Sequence, residues 1–421
     1  MSIARKNTII VCEVAGNTAA PLPRYRWVIL LVAFLVLVTS FIVRLAWGNA
    51  AIGVRDSLSL GATTLGSFVT AFYIGYVIAN TFGGFAADRF GPSRALFCAL
   101  LPLGVFTFCF GFVGNLYQGL AIQALMGLSA GINFSATTKI VSAWFPPAHR
   151  GGAFGLLATA SSIPIIIANA TFPYIIQTFS WGALYRGLGG FTILIATICF
   201  FTLRDTPLEQ ATQDRGPVSK PGMITAIRQI LGNRDLVIFA LAGFGGMWGT
   251  WGFAFWSNAL MVKGHGFSPV TAGAIMALFG LGAVVAKPLY GFLSDALGGQ
   301  RKNLMMLCFV GFAVMLMLFG SRDGELAFKC LAPILGVTAF AYNPLQTALL
   351  SELIGKNTVG TAAGLNNAFW QLGSMIVPVV VGFVFEQTSS FYAAFAVLAC
   401  GPLLGAICMA FVHEPDMKSK D

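Results

Sequence analysis

The sequence predicts an all-α membrane protein with twelve transmembrane helices in two pseudo-symmetric six-helix bundles. Three observations predict it. Only 10% of the 421 residues are charged and 57% are hydrophobic, whereas a soluble domain carries about 25% charged residues. Twelve apolar stretches are long enough to cross a bilayer, which takes about 20 residues in a helix. The two halves of the chain also echo each other at a near-constant offset. Together these exclude an ordinary soluble enzyme, whose helices need polar faces, and a disordered chain, which lacks such apolar content.

The stretches, numbered as segments 1 to 12, are 27–50, 62–86, 94–114, 117–143, 151–178, 184–203, 235–261, 268–293, 303–320, 327–350, 359–385 and 390–411. Residues 1–26 form a tail without the apolar core and cleavage site of a signal peptide. The longest polar stretch, 204–234, contains Pro207, Pro217 and Pro221 among charged residues. It reads as a linker between bundles 27–203 and 235–411, and 412–421 forms a C-terminal tail.

The echo is explicit. Residues 84–94 read GFAADRFGPSR and residues 291–301 read GFLSDALGGQR. A weaker echo aligns Gly151, Ala153, Gly155 and Leu156 with Gly360, Ala362, Gly364 and Leu365. A shift of about 208 residues in both places argues for duplication of a six-helix unit.

The net charge of +10 does not mark a nucleic-acid binder, because the bases form no stripe with interleaved aromatics. They mark topology instead. Arg55, Arg186, Lys263, Arg322 and Lys329 fall on one side of the membrane, and Arg44, Lys139 and Lys287 lie within segments. The other seventeen fall on the side of both termini and the linker, which the excess of bases makes cytoplasmic. Cysteines 12, 98, 109, 199, 308, 330, 400 and 408 show no CxxC pair or metal-ligand spacing. They read as reduced packing residues, and no metal or cofactor is expected.

The motif GxxxDxxGxxR between segments 2 and 3, repeated between 8 and 9, resembles the signature loop of the major facilitator superfamily. Twelve spans, a central linker and cytoplasmic termini are similar too, over nearly the whole chain. The resemblance implies two bundles that rock about a central site. It implies that Gly84, Asp88, Gly91, Arg94, Gly291, Asp295, Gly298 and Arg301 form a conformational latch. Physically, a carboxylate at the end of segment 2 or 8 can accept charge-assisted hydrogen bonds from an arginine or from the N-terminus of the next helix. A solvated loop that only sets topology is the alternative.

The intramembrane bases carry the substrate information. A charge at membrane depth costs roughly 2.5–3.5 kcal/mol, so it usually faces a cavity. Lys287 lies about 12 Å along segment 8 from Asp295 at 1.5 Å per residue, too far to snorkel easily. Pro288 follows it and frees a backbone carbonyl. The readings are a cavity-facing cation or a partner for a carbonyl or helix end. Arg44 lies toward the outer part of segment 1, where snorkelling and anion binding compete. The run FIVRLAWGNA (41–50) is similar to the first helix of organophosphate antiporters and organic anion–cation symporters, whose arginine there contacts the anionic substrate. The symporters often place an aspartate just before it; here Val43 stands there, so that route of proton coupling is missing. Lys139, five residues before Trp144, reads as snorkelling, with a role in the inward gate as the alternative.

No Asp, Glu or His falls at a midplane position. Unpaired cations without acids suit an anion, not a cationic drug. Drug exporters of this superfamily place an arginine in helix 4, where Gln123 stands, and a Gly-Pro motif in helix 5, where Ser161, Ser162, Ile163 and Pro164 stand. Polar and aromatic residues on other segments can complete a pocket: Tyr73, Asn80, Trp251, Tyr342, Asn343, Asn366, Asn367, Trp370 and Gln371. Amide donors suit a carboxylate or hydroxyl. For each aromatic the alternative is packing or an interfacial belt. The glycine-rich run GFGGMWGTWG (243–252) reads as close helix packing. No catalytic constellation is present, so an enzyme is not expected.

The expected function is secondary active transport of a small organic anion, with a carboxylate fitting best. Ion-coupled symport with a proton or sodium comes first, and exchange second. A proton-coupled exporter of drugs or metabolites is the remaining alternative. Oxalate and monocarboxylate carriers, with a base in helix 8, are a similar branch. The resemblance implies a monomer in a lipid bilayer, and the short loops suit a bacterial inner membrane.

Overall fold

Inside a bilayer no water completes backbone hydrogen bonds, so each apolar run must close its own as a helix. The computed structural model describes residues 24–145, 147–205, 231–296, 301–354 and 359–413, and twelve spans lie among them. Eight helices make the first six spans: α1 (Tyr25–Leu58), α2 (Ala62–Phe90), α3 (Pro92–Phe110), α4 (Leu116–Ala130), α5 (Asn133–Trp144), α6 (Pro147–Thr159), α7 (Ile163–Thr178) and α8 (Trp181–Thr202). Six make the rest: α9 (Arg234–His265), α10 (Pro269–Ala296), α11 (Arg301–Gly320), α12 (Glu325–Ile354), α13 (Val359–Thr388) and α14 (Phe391–Phe411).

Three features of these helices bear on the site. First, α1 is 34 residues long, about 51 Å at 1.5 Å per residue, so it runs past the end of segment 1 and carries Arg55 with it. Second, segments 4 and 5 are each two helices. The second breaks at 160–162, where the Ser162 N–H turns to Thr159 O at 3.0 Å. Such a tightened turn leaves the Ala158 carbonyl without its usual helical donor. Third, Pro288 sits inside α10 without ending it.

Within the halves, α2 packs on α4, α3 on α8, α10 on α12, and α9 and α11 on α14. Small residues set these distances, because lipid-facing helices gain no hydrophobic drive toward each other. At the α9–α14 crossing a Cβ on Gly245 would lie 2.2 Å from the Gly401 carbonyl, so the glycine-rich run does bring backbones together. The described cysteines are all free.

Of the motif residues, Gly84 and Asp88 lie in the last turns of α2 and Asp295 at the end of α10. The side chains of these acids, and Gly298 entirely, lie outside the described residues. Arg94 is exposed in the first turn of α3, while Arg301 opens α11 and Lys139 is half-buried on α5. The carboxylate seen at the start of α3 comes from elsewhere. Asp205, just past α8, accepts the Ser93 N–H at 2.7 Å. Gly91 has φ +83°, and a Cβ there would meet Asp205 Oδ2 at 2.3 Å, so only glycine fits both the backbone and the approach. Trp144 Nε1 donates to Arg204 O at 2.7 Å, and Tyr25 OH donates to Thr202 O at 2.6 Å. Together these anchor the end of α8 to α1, α3 and α5.

Asp205→Ala is therefore expected to lower stability by about 1–2 kcal/mol, the usual worth of a helix cap. Asp205→Asn should retain part of it. Thermal unfolding of the detergent-solubilised variants measures both.

Candidate functional site

The site lies where the two halves meet. Far from the linker, α2 meets α13: Thr70 Oγ1 donates to Met375 O at 2.6 Å. At the mouth, Glu386 accepts the Thr63 N–H at 2.9 Å and its hydroxyl at 2.5 Å, so a carboxylate from one half caps the first turn of α2 in the other. Beside this seam three amides form a clasp. Asn258 of α9 donates to Asn169 of α7 at 2.8 Å and to Asn49 of α1 at 3.2 Å. Asn49 donates to Asn169 at 3.2 Å, and Asn169 donates to Ile165 O at 2.8 Å. Asn49 and Asn169 carried no signal, because single asparagines on different segments reveal no proximity.

Arg44 lies deeper. It is 5% exposed and sits among five aromatic rings. Its Cζ is 4.2 Å from the Tyr76 ring centroid, 5.0 Å from Phe41, 5.3 Å from Trp251, and 5.6 Å from Phe72 and from Tyr73. Four rings come from the first half and Trp251 from the second, so the box closes across the seam. Phe41 and Trp251 stack at 6.1 Å with 5° between planes. Each such face attracts a guanidinium by about 0.5–2 kcal/mol, but a ring carries no charge to cancel. Among the described residues Arg44 has no ion pair, and its Nε has no hydrogen-bond partner. The Tyr73 hydroxyl, in the same box and fully buried, also lacks a partner. The helix therefore presents a desolvated cation with donor capacity unused, beside a small cavity lined by Arg44, Val69, Phe72, Gln123 and Phe255.

Lys287 is placed differently. From α10 its Nζ donates to the Ala158 carbonyl at 3.0 Å and to the Ser161 hydroxyl. These are the groups at the α6–α7 break, so the cation fills the carbonyl that the break leaves open. The Phe340 ring lies 5.2 Å from the same nitrogen. Lys287 thus ties the second half to the first. Among the described residues Arg44 and Lys287 share no contact residue: one touches α1, α2 and α9, the other α6, the break and α12.

The remaining pocket candidates divide. Tyr73 and Trp251 belong to the Arg44 box. Asn80 is buried on α2 with its Nδ2 unpartnered. Tyr342 is buried within the second half, its hydroxyl 3.1 Å from Thr250 Oγ1 and its ring 4.8 Å from Phe309. Trp370 packs on Phe239 at 5.9 Å, and Gln371 accepts from Ser374 at 3.3 Å. Asn366 is buried, whereas Asn343 and Asn367 are half-exposed. These last six all lie on α12 and α13 of the second half.

A fold of twelve spans with a buried cation between its halves defines a transporter, and the family comparison agrees. The Major Facilitator Superfamily model matches residues 29–276 and 254–421, and the chain belongs to that family. It is a multi-pass membrane secondary transporter, not an enzyme. Among curated relatives, it is 25% identical over 384 residues to the hexuronate transporter of Bacillus subtilis (strain 168), covering 87% of this chain and 90% of the relative. It is 24% identical to the probable galactarate/D-glucarate transporter GarP of Escherichia coli (strain K12), covering 92% and 94%. It is 26% identical to the probable sulfoacetate transporter SauU of Cupriavidus necator (strain ATCC 17699 / DSM 428 / KCTC 22496 / NCIMB 10442 / H16 / Stanier 337), covering 94% and 96%. Among solved structures, the partially occluded inward-open xylose transporter XylE from E. coli aligns with a TM-score of 0.74 at 16% identity, covering 95% of this chain and 100% of that one. A bacterial homologue of the human lysosomal transporter Spinster, inward-facing and unoccupied, aligns at 0.72 and 15%, covering 92% and 96%.

The Lys287 tie is measurable by a double-mutant cycle with Lys287→Met and Ser161→Ala. A charged hydrogen bond predicts a coupling of about 1–3 kcal/mol in thermal unfolding. Additive effects would mean that the contact contributes nothing.

Proposed function

We propose that this transporter carries a small carboxylate anion, with Arg44 as its anion-binding cation. The observation that carries the reading is the buried Arg44 charge, which has no counter-ion among the described residues. A ligand carboxylate supplies the missing acceptors and the missing charge at once. The relatives' names point the same way, since hexuronate, galactarate, D-glucarate and sulfoacetate are all small organic anions.

Rings from both halves enclose Arg44, so an anion there touches both bundles and reports occupancy to both. The Asn49–Asn169–Asn258 clasp and the Thr63–Glu386 contact close the side away from the linker. Lys287 ties the same halves at mid-depth. In the cycle proposed, all three contacts release when the far side opens, and Lys287 then turns from the Ala158 carbonyl toward the anion path. Asn80, Asn343 and Asn367 are left as amide donors along that path. The Asp88 and Asp295 loops serve as the latch on the linker side.

The bases in the tails and linker put both termini in the cytoplasm, and the bacterial relatives suit the plasma membrane. Proton- or sodium-coupled symport is the first reading. Exchange is the second, favoured by one observation: every Asp and Glu in the sequence lies at a segment end, a loop or a tail.

Arg44→Ala is expected to reduce carboxylate uptake into proteoliposomes at least 100-fold while folded protein remains. Lys287→Ala should abolish uptake as well, through the tie and the path. Wild-type uptake by Arg44→Ala would overturn the site. Coupling is read in the same vesicles: accumulation driven by an imposed proton or sodium gradient supports symport. Uptake that ignores both and requires internal anion supports exchange.

A further inference from the structure

The small cavity beside Arg44 has a second polar wall. Gln123 of α4 is 4% exposed and lines the same space as Arg44. The other walls are apolar or aromatic: Val43, Val69, Phe72, Phe255 and Trp47, whose ring stacks on Phe68 at 4.7 Å. The space holds about one water, so a group a bond or two from whatever Arg44 binds reaches Gln123. The two side chains ask for different chemistry. A guanidinium only donates, and so takes a carboxylate. A glutamine amide both donates and accepts, and so takes a group that can do both. A hydroxyl is such a group, and the adjoining carbon is the place for it.

We propose that Gln123 reads a hydroxyl on the carbon next to the substrate carboxylate, so that this transporter prefers 2-hydroxy acids over their 2-deoxy counterparts. The proposal rests on Arg44 binding the carboxylate, and it adds a specificity-determining residue on α4. The rings around Arg44 must part to admit the acid, and Gln123 moves with α4 on the first-half side of the box. The Tyr185 hydroxyl also faces the Gln123 amide, so an acid lacking the hydroxyl leaves that amide short of one partner in the space, a stronger discriminator than a missing methylene.

The test measures dissociation constants by calorimetry on the purified full-length protein, using matched pairs: glycolate and acetate, lactate and propionate, gluconate and 2-deoxygluconate. The wild type is expected to bind the hydroxy member about tenfold more tightly in each pair that binds. Gln123→Met, which is close in volume, and Gln123→Leu should bring that ratio near one. A wild-type ratio of one, or an unchanged ratio in the variants, overturns the proposal. If neither variant yields folded protein, the wild-type ratio decides alone. Arg44→Gln separates the two levels. Wild-type carboxylate affinity in Arg44→Gln removes the underlying reading. Lost affinity there with an unchanged ratio in Gln123→Met removes only the role of Gln123.

Discussion

A single uncompensated charge organises this molecule. The Arg44 guanidinium is 5% exposed in the interior of a membrane-spanning bundle, where a charge costs roughly 2.5–3.5 kcal/mol on insertion scales. Five ring faces offset part of that cost without neutralising it. The rings need both halves, because Trp251 of α9 stacks on Phe41 of α1. The cost of holding the cation is therefore linked to how the halves sit together. An anion changes both terms at once, by cancelling charge and by contacting both walls. That linkage is what a carrier requires: the ligand must have different interaction energy with different arrangements of the halves.

The other cross-half contacts are arranged around this centre by polarity. Neutral amides at Asn49, Asn169 and Asn258 join three spans, and such bonds are modest in a membrane, about 0.6–2 kcal/mol each. A clasp of that strength can open during a cycle. Lys287 uses a carbonyl freed by the break in segment 5, so its tie depends on backbone geometry instead of an opposing acid. Breaking it leaves a desolvated ammonium, which again favours an arriving anion. The two intramembrane cations thus differ in role within this arrangement: one waits in aromatic surroundings, the other is occupied by the opposite half.

Much of the architecture was legible in the sequence, for a physical reason. Bilayer thickness fixes span length, and the scarcity of charge leaves few choices for the loops, so twelve spans follow from hydropathy. Arg44 and Lys287 stood out because charges at that depth are rare. The breaks at 131–132 and 160–162 were not assigned from the sequence, although Gly131 marks the first and Pro164, in the first turn of α7, the second; prolines also lie inside unbroken spans here, as Pro288 does, so neither residue is decisive. Asp205 was hidden because it lies just beyond the end of a span, at the start of the linker, and caps a helix 112 positions earlier. The Asn49–Asn169–Asn258 clasp depends on which faces of distant helices meet, which periodicity alone does not give. Gln123 was visible only as a departure from the drug exporters; its place beside Arg44 needed the packing of α4 on α2. Tyr342 shows the reverse: a polar aromatic at a promising depth whose hydroxyl is used by Thr250 within its own half.

Whether Arg44 binds the transported anion is read most directly by equilibrium binding, apart from the transport cycle. Wild type and Arg44→Gln, purified side by side, are screened by thermal shift against small carboxylates, because a ligand that binds the folded form raises its melting temperature. A concentration-dependent rise is expected for at least one carboxylate in the wild type, and none for that compound in Arg44→Gln. Equal shifts in both proteins would place the anion elsewhere and remove Arg44 as its binding cation.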